Sequence, residues 1–244
     1  MTLVVQVRLP LRVRKHAQGG RSAQRGARQR SEPREPGWFQ RKLKPEGVRE
    51  RKVEKDRLLA MTDGVAAVII TIMVLELKAP EGSDWGSLHE LWPVFFGYVL
   101  SFIYVAIYWN NHHHYFHLVE RVNGAVLWAN FHLLFWLSLI PFSTAWLGEH
   151  AFMPVPTALY GVSLFMPAFA WLLMQRVIIH SQGENSPLQA FLGRDFKGTI
   201  SATLYAAGIA LSFVAPWAGL ICYAVVTSVW LIPDRRIEKM VAQD

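Results

Sequence analysis

Some ionisable side chains of this sequence lie inside apolar runs, where a charge is costly and its presence has to be explained. Asp63 stands within RLLAMTDGVAAVIITIMVLEL, residues 57–77, and Glu76 lies near the far end of that run. A charge at the bilayer centre costs roughly 2.5–3.5 kcal/mol on insertion scales, so the carboxylate needs a partner or a polar path. Two interpretations stay open, namely a structural carboxylate that clamps neighbouring helices and a direct contact with an ion or proton. In both, this helix does not face lipid at Asp63.

A histidine-rich segment, YWNNHHHYFH at residues 108–117, is the second chemical candidate. His113 and His117 are four residues apart, a spacing that places both on one helical face and can hold a metal, with His132 as a possible third ligand. A membrane metalloenzyme is therefore one hypothesis. The other histidines are scattered, so we expect no metal, no cofactor and no catalytic residue. Hydrogen bonds at a helix end and modulation by protonation are the alternatives, and the roles of His114 and His117 stay open.

Long apolar stretches must position these residues. Of the 244 residues, 52% are hydrophobic, and a bilayer core of roughly 30 Å needs about 20 helical residues. The last two stretches are separated at Pro216 and Gly219, which break a helix. We therefore predict an all-α integral membrane protein with six transmembrane helices, at residues 58–77, 90–109, 125–147, 155–175, 198–215 and 217–232.

The distribution of charge predicts the orientation of these helices. Residues 1–57 hold 17 of the 25 Lys and Arg, and the 110–124 loop, the 176–197 loop and the C-terminal tail hold nearly all the others. Lys78 alone falls in the opposite loops. Because basic residues collect on the cytoplasmic side, both termini are expected to be cytoplasmic.

Composition also predicts the domain organisation. Residues 1–56 form a basic N-terminal extension without apolar periodicity, which we expect to be disordered. It is interpreted as a tail attracted to anionic lipid, a product of a misplaced start codon, or a transit peptide. Residues 57–232 form the transmembrane domain and 233–244 a short cytoplasmic tail. Nucleic acid is not an expected partner, because the basic stretch has no fold signal.

Helical periodicity places a second group of residues on one stripe of the first helix. Consecutive residues turn by about 100°, so with Asp63 at 0° the stripe lies between about 80° and 180°. Its members are small or apolar, which is typical either of a pore surface or of ordinary helix packing. They are Val68, Thr71, Ile72 and Leu75.

The motif R-x-x-x-M-T-D-G-V-x-A-V-x-x-T, residues 57–71, resembles the first-helix signature of the TMEM175 family of potassium channels. Residues 108–117 resemble the family's Trp-x-x-His-His segment, and LWANFHLLFWLSLIPFSTAWLGE at 127–149 resembles its third helix. The resemblance covers about residues 57–150, and the last three helices match only in number and hydrophobicity. Val68 stands where the family usually has Ile. Because Val is smaller by one methylene, the substitution predicts that the narrowest part of the pore implied by this resemblance is slightly wider.

The resemblance implies a homotetramer in the lipid bilayer, expected in a bacterial inner membrane, with a central pore lined by the first helix of each copy. It implies passive conduction that favours K⁺ over Na⁺, with K⁺ as the permeant ion. The implied ion pathway is the stripe defined above. The implied network that supports the pore helix consists of Arg57, Thr62, Asp63, Trp109, His112 and His113.

The sequence has no TVGYG-type carbonyl filter, so a hydrophobic constriction is the available mechanism of selection and gating. A proton- or cation-coupled secondary transporter is a further alternative. Such transporters usually show internal repeats, and the 57–77 signature does not recur in the second half of this sequence.

Overall fold

The computed structural model describes residues 46–183 and 196–231, and every regular element within them is an α-helix. The helices are α1 (Glu46–Leu75), α2 (Trp85–Glu90), α3 (Trp92–His117), α4 (Gly124–Ser138), α5 (Ile140–Glu149), α6 (Pro154–Gln182), α7 (Phe196–Ser212) and α8 (Pro216–Leu231). The first 45 residues of the predicted extension and the predicted tail at 233–244 lie outside the described residues.

Four stretches of the described chain are long and apolar enough to cross a membrane: 53–75, 92–117, 124–149 and 154–182. The third consists of α4 and α5 together. Helices α7 and α8, with 17 and 16 residues, are shorter. The prediction of an all-α protein with several membrane-spanning helices is therefore confirmed, and the number six stays a prediction.

Helix boundaries differ from the predicted ones at the ends that leave the membrane. Helix α1 begins at Glu46, so residues 46–56, which we assigned to a disordered extension, are helical. This segment is rich in Glu, Lys and Arg, which are good helix formers, and it continues directly into the apolar run. Helix α3 extends to His117, so the whole histidine segment is helical. We had predicted that this helix ends at residue 109.

In the second half, prolines begin helices, whereas a glycine that was predicted to break a helix does not. The third span breaks at Leu139, because Pro141 in the first turn of α5 has no N–H to donate to the preceding turn. Pro216 begins α8, as expected of a separator, but Gly219 lies inside α8 and is buried. A Cβ on Gly219 would lie 2.8 Å from the carbonyl oxygen of Gly208, so this glycine allows α7 and α8 to approach closely.

Helix α1 packs against α3, α4 and α5 with one face only. Its buried side chains recur every three or four residues, which is the period of one helical face. They are Leu58, Thr62, Ala66, Ile69 and Met73. This inward face belongs to the common hydrophobic core of the chain and sets which side of α1 points away from it.

Candidate ion pathway and its supporting contacts

The predicted stripe lies on the outward face of α1. Val68, Ile72 and Leu75 are 54%, 42% and 77% exposed, and Thr71 is exposed as well. The hydroxyl of Thr71 donates to the carbonyl oxygen of Val68 at 3.0 Å, a bond within the helix. These four side chains are therefore exposed on one side of α1, where they form an apolar surface with one hydroxyl.

Asp63 lies between the inward and outward faces of α1, where it meets α3. The indole N–H of Trp109 donates to a carboxylate oxygen of Asp63 at 2.8 Å. Hydrogen bonds to charged groups are the stronger ones, so this contact ties α1 to α3 and gives the carboxylate a partner. Asp63 itself is exposed and Trp109 is 45% exposed.

One turn away, a directional chain of hydrogen bonds joins three helices inside the protein. His112 Nε2 lies 2.9 Å from Asn130 Oδ1, and because an amide oxygen only accepts, this ring nitrogen carries the proton. Asn130 Nδ2 donates to Thr62 Oγ1 at 3.0 Å. The Thr62 hydroxyl then donates to the carbonyl oxygen of Leu58 at 3.0 Å. All three side chains are buried, so the chain satisfies groups that lipid could not.

Asn130 is the member of this network that sequence reasoning missed. It joins Thr62 of α1 to His112 of α3 from a position on α4, with 1% exposure. A signal existed, because an amide inside the apolar run 127–149 must find a partner within the protein. What the sequence did not show is which helices that partner belongs to.

The predicted network is only partly brought together. Thr62 and His112 meet through Asn130, Asp63 meets Trp109, and the ring of His113 stacks on Trp109 with centroids 6.2 Å apart. In the described part of the chain, no hydrogen bond or ion pair joins Arg57 to these residues. The side chain of Arg57 is exposed instead.

Lys55, which was not part of the predicted network, makes a cationic contact with the end of α3. Its Nζ donates to the carbonyl oxygens of His117 and Val119 at 3.3 and 2.9 Å. Both carbonyls lie at or just beyond the C-terminus of α3, where a positive charge interacts favourably with the helix dipole. The N-terminal part of α1 is thus attached to the end of α3.

The histidines that the structure describes do not form a centre of the kind that a metalloenzyme requires. In residues 46–183 and 196–231, no group of three or more His, Cys, Asp and Glu side chains is arranged to hold a metal ion. His132 Nε2 accepts a hydrogen bond from the indole of Trp136 at 3.0 Å. His113 Nε2 and His117 Nε2 lie 3.1 Å apart.

The opposite end of α1 lies among carboxylates. Lys78 Nζ pairs with Glu149 at 3.2 Å, and because both side chains are largely exposed this pair contributes little to stability. Asp84 caps α2 and accepts hydrogen bonds from the backbone N–H and the hydroxyl of Ser87. These bonds hold the pKa of Asp84 below its usual value, so this carboxylate is ionised at neutral pH.

Comparison with known proteins agrees with this arrangement. The family described as "Endosomal/lysosomal potassium channel TMEM175" matches residues 57–141. A potassium channel of a Chryseobacterium species is 53% identical over 190 residues, which are 78% of this chain and 99% of that protein. A potassium channel of Chamaesiphon minutus is 30% identical over 183 residues, 70% of this chain and 90% of that protein.

A solved structure has the same fold. The crystal structure of a lysosomal potassium-selective channel TMEM175 homolog from Chamaesiphon minutus matches with a TM-score of 0.64 and 28% identity, over 73% of this chain and 97% of that one. Residues 57–141, which the family model matches, include α1 from Arg57 onward, all of α3 and α4 and the first two residues of α5, and so contain the Asp63–Trp109 and Thr62–Asn130–His112 contacts. The chain therefore belongs to the TMEM175 family, which is a family of potassium channels and not of enzymes.

Proposed function

We propose that this protein is a subunit of a potassium channel that conducts passively and favours K⁺ over Na⁺. The observation that carries the proposal is the outward face of α1, where the described structure leaves Val68, Thr71, Ile72 and Leu75 exposed. The relatives with the same fold are named potassium channels, and one is described as potassium-selective.

A symmetric assembly explains why this face is uncovered. Asp63 of α1 and Trp109 of α3 are exposed where the two helices meet, and an exposed carboxylate in contact with lipid would be costly. Four copies arranged around an axis, with α1 innermost, would cover these two residues and turn the outward face toward a central pore. In such a closed ring every copy makes the same contacts with its neighbours, as is usual for homo-oligomers.

The proposed pore selects without backbone carbonyls. The backbone carbonyls along the stripe are part of the regular α1 helix, and the hydroxyl of Thr71 donates its proton to the carbonyl oxygen of Val68. Rings of Val68, Ile72 and Leu75 would form a hydrophobic constriction that an ion crosses only by losing water or that closes by dewetting. The Asp63–Trp109 bond and the Thr62–Asn130–His112 chain would hold α1 at the distance this constriction requires.

The remaining features of the proposal concern topology. We place six helices across the membrane, with α7 and α8 as the short fifth and sixth, and both termini in the cytoplasm of a bacterial cell. The charge distribution supports this, since Lys55 and Arg121 lie on the proposed cytoplasmic side and Glu81, Asp84 and Glu149 on the other. For residues 1–45 and 232–244, the proposed topology rests on their sequence alone.

The test is a flux assay on purified protein in liposomes, comparing K⁺ and Na⁺, with valinomycin as the control for vesicle integrity. We expect passive flux that favours K⁺ in the natural protein. Leu75→Ala and Ile72→Asn should raise the flux and weaken the preference for K⁺, because they widen or wet the constriction.

The matched control is Leu173→Ala, which truncates a leucine that is 39% exposed on α6, away from the proposed pore. It should leave both the flux and the preference unchanged. Unchanged K⁺/Na⁺ ratios in Leu75→Ala and Ile72→Asn would remove α1 from the ion pathway. Flux of K⁺ that depends strictly on a second ion would replace the channel by a coupled transporter.

A further inference from the structure

His113 and His117 form a pair whose geometry is independent of the proposed pore. Their Nε2 atoms lie 3.1 Å apart, their ring centroids 4.6 Å apart, and the two rings are nearly perpendicular. Both side chains are exposed. The two nitrogens therefore face each other at hydrogen-bond distance, with one ring donating and the other accepting, and a metal ion bound between them would replace this hydrogen bond.

The distance between the nitrogens is the one that a shared metal ion requires. Imidazole binds zinc at about 2.0–2.1 Å, so two such nitrogens are about 3.3 Å apart at a tetrahedral angle and about 2.9 Å apart at a right angle. The observed 3.1 Å lies between these values. Small rotations of the two side chains would suit a tetrahedral ion such as Zn²⁺ or a tetragonal one such as Cu²⁺ or Ni²⁺.

We propose that His113 and His117 form a two-histidine site for a divalent transition-metal ion from solution, with water completing the coordination. The sequence led us to expect no resident metal, and a site with two protein ligands is in keeping with that, because it would exchange its ion readily. This two-histidine site differs from the centre of a metalloenzyme, because such a centre needs more ligands than the described residues bring together.

Water can reach this pair even though it belongs to a membrane-spanning helix. With 26 residues, α3 is about 39 Å long, whereas the hydrocarbon core is roughly 30 Å thick. The last turns of α3, which contain both histidines, therefore extend into the interfacial region. Trp109, one turn before His113 on the same face, has the side chain expected at that boundary.

The charges around the pair tune its affinity in both directions. The ammonium of Lys55 bonds to the main-chain oxygen of His117 and opposes a second cation nearby. The carboxylate of Asp63 accepts a hydrogen bond from the indole of Trp109, which stacks on His113, and this negative charge favours a cation at the pair. His114 lies beside the pair, with its ring centroid 5.6 Å from that of His113 and the rings at 74°, and it does not share their face.

The experiment uses the full-length protein in lipid nanodiscs, stripped of metal by a chelator and free of any affinity tag that contains histidine. Binding of Ni²⁺ is measured by competition with a fluorescent metal indicator. We expect one Ni²⁺ per chain, weaker binding of Mn²⁺ in keeping with the general order of divalent metals, and no binding of Mg²⁺.

His113→Gln and His117→Gln should each weaken Ni²⁺ binding by about tenfold or more, since each removes one of two ligands. His114→Gln and His132→Gln are the matched controls and should bind as the natural protein does. Circular dichroism verifies that all four variants keep the same helix content. Equal affinity in the natural protein and the two pair variants would identify an adventitious ion only and overturn the site, as would the absence of Ni²⁺ binding.

Discussion

The two faces of α1 differ in what they contact and therefore in what a mutation on each should do. The inward face, with Leu58, Ile69 and Met73, is almost fully buried against α3, α4 and α5. The outward face, with Val68 and Leu75, is equally apolar but exposed. Hydrophobicity does not distinguish the two faces, so the difference lies in packing: one face packs against other helices of the chain, and the other is available to the pore that we propose.

The largest expected effect separates these faces directly. Met73 is 1% exposed and Leu75 is 77% exposed. Truncation of a fully buried Met to Ala typically costs about 2–5 kcal/mol, so Met73→Ala should lower the thermal unfolding temperature clearly. Leu75→Ala should change it little. The measurement is thermal unfolding of the detergent-solubilised protein, and equal losses in the two variants would erase the distinction between the faces.

The next effect concerns the boundary between the faces. Asp63→Ala removes the acceptor of the Trp109 indole, a bond to a charged group worth about 1.5–3 kcal/mol. We expect a lower yield of assembled protein and a lower unfolding temperature. Asp63→Asn keeps an oxygen acceptor and should lose less. Size-exclusion chromatography and thermal unfolding measure both, and identical behaviour of the two variants would show that the bond does not support α1.

A somewhat smaller effect is expected from the inward hydrogen-bond chain. Asn130→Ala leaves the Thr62 hydroxyl and the His112 ring without their common partner, which costs about 1–3 kcal/mol for buried polar groups. Asn110→Ala, at an exposed position on α3, is the matched control. The expected result is a lower unfolding temperature for Asn130→Ala alone. If Asn110→Ala is equally destabilised, the network has no special role.

The smallest effect concerns the attachment of α1 to the end of α3. Lys55→Met keeps most of the side-chain length but removes the cation at the α3 C-terminus, worth about 0.3–1 kcal/mol. We expect a slight loss of thermal stability at low salt that shrinks as salt is added, because exposed charges are screened. Lys55→Arg should show no such loss, and a loss independent of salt would point to packing instead.

Part of the candidate site could be predicted from the sequence because it depends on one helix alone. The turn of about 100° per residue placed Val68, Thr71, Ile72 and Leu75 on one stripe away from Asp63, and the structure shows them together on the outward face. Their role in conduction stays a prediction. The family resemblance implied that Asp63 and Trp109 belong to one supporting network, and in the structure the two are hydrogen-bonded.

Contacts between helices were harder to predict. Asn130 and the contact of Lys55 with the end of α3 were overlooked, and Gly219 was taken for a helix breaker although it lies within α8. The identity of a residue does not indicate which neighbour its side chain will reach. A glycine inside an apolar run is compatible with a helix break and with the close approach of two helices, and only the neighbouring helix decides between them.

By itself, the sequence determined that the chain is helical, that its apolar runs are long enough to cross a membrane, and that α1 carries two apolar faces. These properties follow from hydrophobicity and from the period of the helix, which act along a single element. Only the tertiary structure decided which face of α1 is buried, through the packing of α3, α4 and α5 and the bonds of Asn130 and Trp109. Those bonds join residues 46 to 68 positions apart, and such pairs meet only when the helices pack.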